Sequence, residues 1–531
     1  MESEGNHPRA QWYGYLIIAA LGLSLIAMLG LFLVRSRQER HPSAITAVGR
    51  TAASANGQFA VDLYRKVAKE SAGKNVFLSP YSIATSLTVA TEGAVDETRD
   101  EMIQVLRIPR DSFQQIHVGQ KEIRDSLVPE LPAELLAQIT DLRARLKAAN
   151  ERTVSLAKSV EEGNLDRDPV YKSMREAHEL AKEINTLNKT VSTYELRVAN
   201  SIWMDTSYSY DPQFLSAIEP NYGSVLLHAG FGRQPEDACQ SINQWIDDNT
   251  NHQIQTILGP ESLDESMRLL IINAVYFKGA WAEPFREERT EVRPFRIADE
   301  APVDVAMMYQ WNESTASYAA FTEVGDLFPC PQQVNAELKD NDPSLYPDKD
   351  GFKMLALDYQ GQRLQLIILL PQSTTGLQRL EQMLTHESLE KWLTKLERRT
   401  VSLSIPKFKL DSNDNLATAL RSLGISRAFE NEAQFDRLTT SNQFSDRLRI
   451  NEVIHQTRLD INEVGTEAAA ATIIDFPNIS EFEPEMRPFI PVFTADHPFL
   501  FLIRDRHTST ILFLGRLCNP IVESNGKVMS P

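Results

Sequence analysis

The chain has 531 residues, with 54 Lys+Arg against 72 Asp+Glu and a net charge of −18. An apolar share of 42% and a charged share of 24% exclude wholesale disorder or a fibrous repeat and leave ample material for a core. The acid excess, with no Lys/Arg stripe interleaved with aromatics, argues against nucleic acid as a partner. Cys239, Cys330 and Cys518 lie too far apart in sequence to spell a zinc knuckle or a disulfide framework.

Residues 1–13 form a short flank, and Gly14–Val34 is an apolar run without a charge. As a helix this run spans about 31 Å, against roughly 30 Å of bilayer hydrocarbon. Trp12, Tyr13 and Tyr15 at one end and Arg35, Arg37 and Arg40 at the other stand where interfacial anchors belong. The expectation is a transmembrane helix at 14–34 and a single-pass membrane protein; a cleaved signal peptide would have a shorter apolar region and a small-residue cleavage site. The arginines after the span favour a cytoplasmic C-terminal side, whereas the function inferred below needs an extracytoplasmic one. Residues 35–52 lack helical periodicity and read as a tether.

From residue 53 the pattern is that of a folded domain. Phe59, Leu63 and Val67 fall at helical spacing, and Ser79-Pro80 breaks an apolar run before a second helix. Leu269–Phe277, Leu364–Pro371, Val401–Leu410 and Pro498–Asp505 are β-rich, with helical patterns between them, so the chain is α+β. Leu135, Ile139, Leu142, Leu146, Ala149, Thr153, Leu156 and Val160 make a heptad seam. After a break at Glu161–Pro169, a second stripe runs through Tyr171, Met174, Ala177, Ala181, Ile184, Asn188 and Val191. Together they predict an inserted helical hairpin over 131–193, which either closes its own seam or offers a surface for a protein partner or self-association. The acidic stretch 325–350 reads as a second inserted loop.

Nucleophile elbows, Walker loops, dinucleotide fingerprints and paired-His zinc motifs do not occur. Asp411–Asn415 starts like a calcium loop, but Leu416 stands where glycine is required and Ser422 where the bidentate glutamate belongs. The sequence therefore assigns no catalytic residue, no metal site and no cofactor.

Asn462–Asp505 carries the most information. A glycine and a run of small residues lead into a polar tail in which Ala471 and its neighbours favour helix, Thr472-Ile473-Ile474 favour strand, and Pro477, Pro484, Pro488 and Pro491 permit neither to continue. This region resembles the reactive-centre loop of the serpins, serine protease inhibitors that insert this loop into a sheet. NVFLSPYSIATSL, NSIWM (Asn200–Met204), INAVYFKGAWAEPF (Ile272–Phe285), SIPKFKL, VIHQTRLDINEVGTEAAAAT and ADHPFLFLIRD resemble serpin segments in serpin order. The resemblance implies a serpin domain over 53–520, with a large central sheet, surrounding helices, a hinge and mobile reactive-centre loop at 463–497, and a tail at 521–531.

In the mechanism that the resemblance implies, a protease attacks the loop as substrate, and the freed loop enters the sheet with the acyl-enzyme attached. Glu463 and Gly465 match the family hinge. Thr466, Ala468, Ala470 and Thr472 would then share one strand face, and all are small. Ser79, Ser82, Asn200, Asn273 and His455 match family positions beneath the opening sheet, and Trp281 one at its top. The family count from the hinge gives Ile479-Ser480 as the reactive bond, which suits an elastase-like serine protease. The loop is longer than the common pattern, and counting from its distal end gives Arg487; Phe476 and Phe482 would suit a chymotrypsin-like enzyme. Some serpins carry a heparin site on the helix before the hairpin, but here that stretch offers only Lys121 and Arg124, and a polyanion activator is not expected. The alternative is a noninhibitory serpin-fold binding or chaperone module acting through the hairpin.

Overall fold

The computed structural model describes residues 45–127, 194–439 apart from a few positions, 448–465 and 486–521, with isolated residues between 138 and 187. The strands are β1 Val76–Leu78, β2 Tyr194–Asp205, β3 Leu226–Ala229, β4 Leu269–Gly279, β5 Glu291–Phe295, β6 Val303–Phe321, β7 Leu327–Phe328, β8 Gln333–Asn335, β9 Phe352–Asp358, β10 Leu364–Pro371, β11 Glu397–Pro406, β12 Phe408–Asn415, β13 Ile450–Ile461, β14 Met486–Pro488, β15 Val492–Thr494, β16 Phe499–Asp505 and β17 Ile511–Leu517. Helices α1 Ala47–Glu70, α2 Pro80–Gly93, α3 Asp96–Val105, α4 Phe113–Leu127, α5 Pro212–Tyr222, α6 Pro235–Asn249, α7 Leu377–Met383, α8 His386–Leu393 and α9 Ala417–Leu423 pack around them.

Two sheets dominate. A ten-stranded sheet runs β1-β17-β16-β10-β9-β6-β11-β15, with β5 and β7 also on β6, and a five-stranded sheet runs β12-β13-β4-β2-β3. Strand β4, in the middle of the smaller sheet, is buried on both faces, which is why it reads as an almost unbroken apolar run. Side chains alternate between its faces. Leu270, Ile272 and Ala274 of β4 join Phe231, Ile242 and Ile246 in the core beneath α6. The odd-numbered positions face α2, where Asn273 bonds to Ser86. Pro80 opens α2 at its first turn, where proline costs no hydrogen bond, and most of the helix is buried.

Two expectations change in extent. The tether does not reach residue 52, because α1 begins at Ala47: the Thr46 hydroxyl accepts from the Val48 and Gly49 amides and donates to the Glu122 carboxylate, a cap that periodicity alone does not reveal. The stretch 325–350 is a folded lobe rather than an open loop. Val334 and Leu345 share a small core with Phe489, flanked by Cys330, Leu338 and Tyr346. Asp411–Asn415, which the sequence already ruled out as a calcium loop, is part of β12. In the hairpin region, the described side chains Leu142, Leu146 and Ala149 of the predicted seam bury against Leu180, with Leu187 alongside. The Ser173 hydroxyl donates to the Ala149 carbonyl at 3.1 Å. The described partners on the second segment, Ser173, Leu180 and Leu187, are spaced by seven; the predicted stripe through Tyr171, Met174, Ala177, Ala181, Ile184, Asn188 and Val191 lies outside the described side chains. Gly14–Val34 lies outside the described residues; among those described, no helix is long and apolar enough to cross a membrane.

Candidate functional site

At the centre of the smaller sheet, β13 and β4 run parallel, whereas β12–β13 and β4–β2 are antiparallel. Across this seam the register places His455 opposite Asn273, and Asn273 opposite Asn200 on β2. Three polar residues thus form a row over three adjacent strands on the face covered by α2. The row is almost wholly buried, with His455 and Asn273 at 0% exposure, so its hydrogen bonds decide its energy.

Helix α2 and the residue before it supply most of the partners. The Ser79 amide donates to His455 Nε2 at 2.9 Å, and the Ser79 hydroxyl donates to the Leu512 carbonyl at 2.8 Å. Ser82 Oγ donates to Asn200 Oδ1 at 2.5 Å. Asn273 Nδ2 donates to Ser86 Oγ at 2.6 Å and to Asn200 Oδ1 at 2.9 Å. Two atoms are left over: Nδ1 of His455 and Oδ1 of Asn273 have no hydrogen-bond partner among the described residues. Because His455 Nε2 accepts, the proton of the neutral ring sits on Nδ1, so one orphan is a donor and the other an acceptor. Burial holds the His455 imidazole down to about 3 and keeps it neutral. Each unsatisfied buried group costs roughly 1–3 kcal/mol, and both lie at the β4–β13 seam.

A second cluster sits where β13 ends. Asn462–Gly465 folds into a turn closed by paired amide-carbonyl bonds between Asn462 and Gly465, at 3.0 and 3.2 Å. Gly465 has φ +137°, and a Cβ there would come within 2.2 Å of the Gly279 carbonyl oxygen, so glycine is required. The Trp281 amide donates to the Val464 carbonyl and its indole Nε1 to the Asn462 carbonyl. The indole stacks on Tyr359 with ring centroids 4.6 Å apart. Glu463 is buried; Lys407 Nζ lies 2.9 Å from its carboxylate, and Thr290 Oγ1 donates to it at 2.7 Å. Burial pushes the Glu463 carboxyl up, but these hydrogen bonds outweigh it and hold the carboxyl below its usual range.

The structure thus brings together Ser79, Ser82, Asn200, Asn273 and His455, and separately Trp281, Glu463 and Gly465. Thr466, Ala468, Ala470, Thr472, Ile479 and Ser480 lie outside the described residues. Ser86, Thr290, Tyr359 and Lys407 belong to the two clusters and were not anticipated. Only Ser86 carried a hint, standing one helical turn beyond Ser82. Lys121 and Arg124 on α4 are each paired with Asp125.

Arg487 is held by both side chain and backbone. Its guanidinium is 2.7 Å from the Asp340 carboxylate and donates to the Leu338 carbonyl, and its backbone is part of β14, paired with β8.

A family model described as Serpin (serine protease inhibitor) matches residues 54–520. The chain is 30% identical to human (Homo sapiens) Serpin B10 over 471 residues, 88% of this chain and 99% of that protein. It is also 30% identical to the leukocyte elastase inhibitor of Bos taurus over 476 residues, with the same coverage of each. Among solved structures, maspin matches with a TM-score of 0.63 at 24% identity, covering 90% of this chain and all of maspin. Uncleaved ovalbumin matches at 0.62 and 22%, covering 88% of this chain and 99% of ovalbumin. With the fold, the sheet seam and the family match in agreement, the chain belongs to the serpin family.

Proposed function

We propose that this chain is a suicide-substrate inhibitor of a serine-type endopeptidase and not itself an enzyme. The observation that carries the reading is the parallel β4–β13 seam. A strand that turns back from the end of β13 runs antiparallel to both neighbours and can hydrogen-bond to each, provided that the polar row beneath α2 yields. The turn at Asn462–Gly465 stands where such a strand would start, and Thr466, Ala468, Ala470 and Thr472 are small enough to pass on the buried side.

In this reading the protease serine attacks the Ile479 carbonyl. The Ile479–Ser480 peptide bond breaks, an ester to the protease forms, and Ser480 leaves as a protonated amine. Insertion of the loop from Gly465 to Ile479 then moves the ester by about 46 Å, at roughly 3.3 Å per residue, before water can hydrolyse it. A branched aliphatic Ile479 favours an elastase-like target, consistent with a relative named leukocyte elastase inhibitor; Phe476 or Phe482 would direct a chymotrypsin-like one. The proposal includes membrane attachment through Gly14–Val34, with the inhibitory domain extracytoplasmic, and a helical hairpin at 131–193 free to engage a protein partner.

The test incubates the chain with elastase-, chymotrypsin- and trypsin-like proteases. A detergent-stable adduct, with a released peptide beginning at Ser480, is the expected result; turnover of the loop without any adduct overturns the inhibitory reading. Carbonate washing of membranes from expressing cells separates an integral anchor, which stays with the pellet, from a segment that is cleaved or peripheral.

A further inference from the structure

The lobe 325–350 and the distal end of the reactive loop are built together. Strand β14 pairs antiparallel with β8, with Met486 opposite Asn335, Arg487 opposite Val334 and Pro488 opposite Gln333. Beyond the pairing, the Phe489 amide donates to the Gln332 carbonyl at 3.1 Å and the Ile490 amide to Asp340 Oδ1 at 3.4 Å. Alternation along the strand decides what each side chain does. Met486 is 47% exposed, whereas Arg487 turns inward to Asp340 and to the Leu338 carbonyl. Phe489 closes the lobe core at 4% exposure, 6.0 Å from the Tyr346 ring. Tyr346 ties the next residues down: its hydroxyl donates to the Asp340 carbonyl and accepts from the Val492 amide at 2.8 Å. On the far side, Lys353 Nζ donates to the Val492 carbonyl and lies over the Tyr346 ring, 5.1 Å from its centroid.

We propose that the lobe 325–350 is a clamp on the distal arm of the loop, with Asp340–Arg487 as its latch, so that the segment open to a protease ends before Met486. Arg487 is then a positioning residue rather than the residue read by the protease. The lobe sets the far boundary of the bait, as the Asn462–Gly465 turn sets the near one. After cleavage the C-terminal fragment stays on the lobe while the N-terminal arm is free to leave. The clamp rests on the reading of residues 466–485 as bait, but its test does not depend on inhibition.

The full chain is digested with thermolysin, a metalloprotease that cuts before apolar residues and forms no acyl-enzyme, and the cuts are mapped by mass. In the wild type, cuts should fall within 466–485, while Pro488–Phe489 stays intact. Asp340→Ala and Arg487→Ala should raise cutting at that bond by about tenfold, the factor expected if local opening becomes easier by one latch. Arg487→Lys, which keeps the charge toward Asp340, should restore part of the protection. Cutting of wild type at Phe489 as fast as within 466–485, or variants indistinguishable from wild type, overturns the clamp. Should a variant fail to fold, the wild-type map alone still decides whether the distal arm is held. The failure of the inhibitory reading is a different observation, the absence of any adduct with a serine protease.

Discussion

His455 shows how one side chain can weigh on a whole sheet. Its folded form titrates at about 3 because burial disfavours the imidazolium, whereas the unfolded chain should bind that proton near pH 6.5. The unfolded state therefore holds more protons between about pH 6.5 and 3. The stability contributed by the neutral ring is fully present above the upper value and lost as pH falls through the window. His455→Gln should flatten this part of the melting-temperature profile relative to wild type, and parallel profiles would show that the ring does not carry the effect. Asn200 gives a second residue-scale prediction. Asn200→Ala removes the acceptor of both Ser82 Oγ and Asn273 Nδ2, and should cost roughly 1–3 kcal/mol in urea unfolding.

At the scale of elements, the two ends of the loop are held by different devices. The near end is a turn whose backbone closes only with glycine. Gly465→Ala forces a Cβ toward the Gly279 carbonyl at an unfavourable φ and should lower stability by about 1–3 kcal/mol; an unchanged urea midpoint would mean that the turn rearranges freely. The far end is a strand pair latched by Asp340 and Arg487. In the proposed mechanism, Thr466 is the first position whose side chain would pass into the sheet. Thr466→Arg should abolish covalent adducts while leaving cleavage of the loop intact, because a charged chain desolvated in the seam has no partner there. Adducts retained in that variant would exclude insertion along this face.

For the whole molecule, the proposed inhibition requires that the closed seam store free energy. β4 and β13 pair as parallel strands, and Nδ1 of His455 and Oδ1 of Asn273 have no hydrogen-bond partner among the described residues. In the proposed mechanism, an inserted strand replaces this one parallel ladder by two antiparallel ones. Nicking the loop should therefore raise the melting temperature, measured by scanning calorimetry on the nicked and intact chain; equal or lower values would mean that no strand has entered.

The amino-acid sequence by itself determined the strand-rich α+β pattern and the run of small residues after Gly465. These follow from local propensity and from the period of two along a strand, which short windows contain. In the sequence, Asn273 stands out only as a match to a family position. What Asn273 touches was decided only in three dimensions. The partners of the buried row come from α2, β2, β4 and β13, and the bond from Ser79 to His455 joins residues 376 positions apart. The same holds for Lys407 and Thr290 on Glu463, and for the lobe that takes up the distal arm of the loop. An acidic stretch read alone looks like solvent-facing loop. Only when the chain brings Phe489 and Arg487 to it do Val334, Leu345 and Asp340 acquire something to bury and something to hold, because burial and ion pairing are properties of neighbours in space and not of neighbours in sequence.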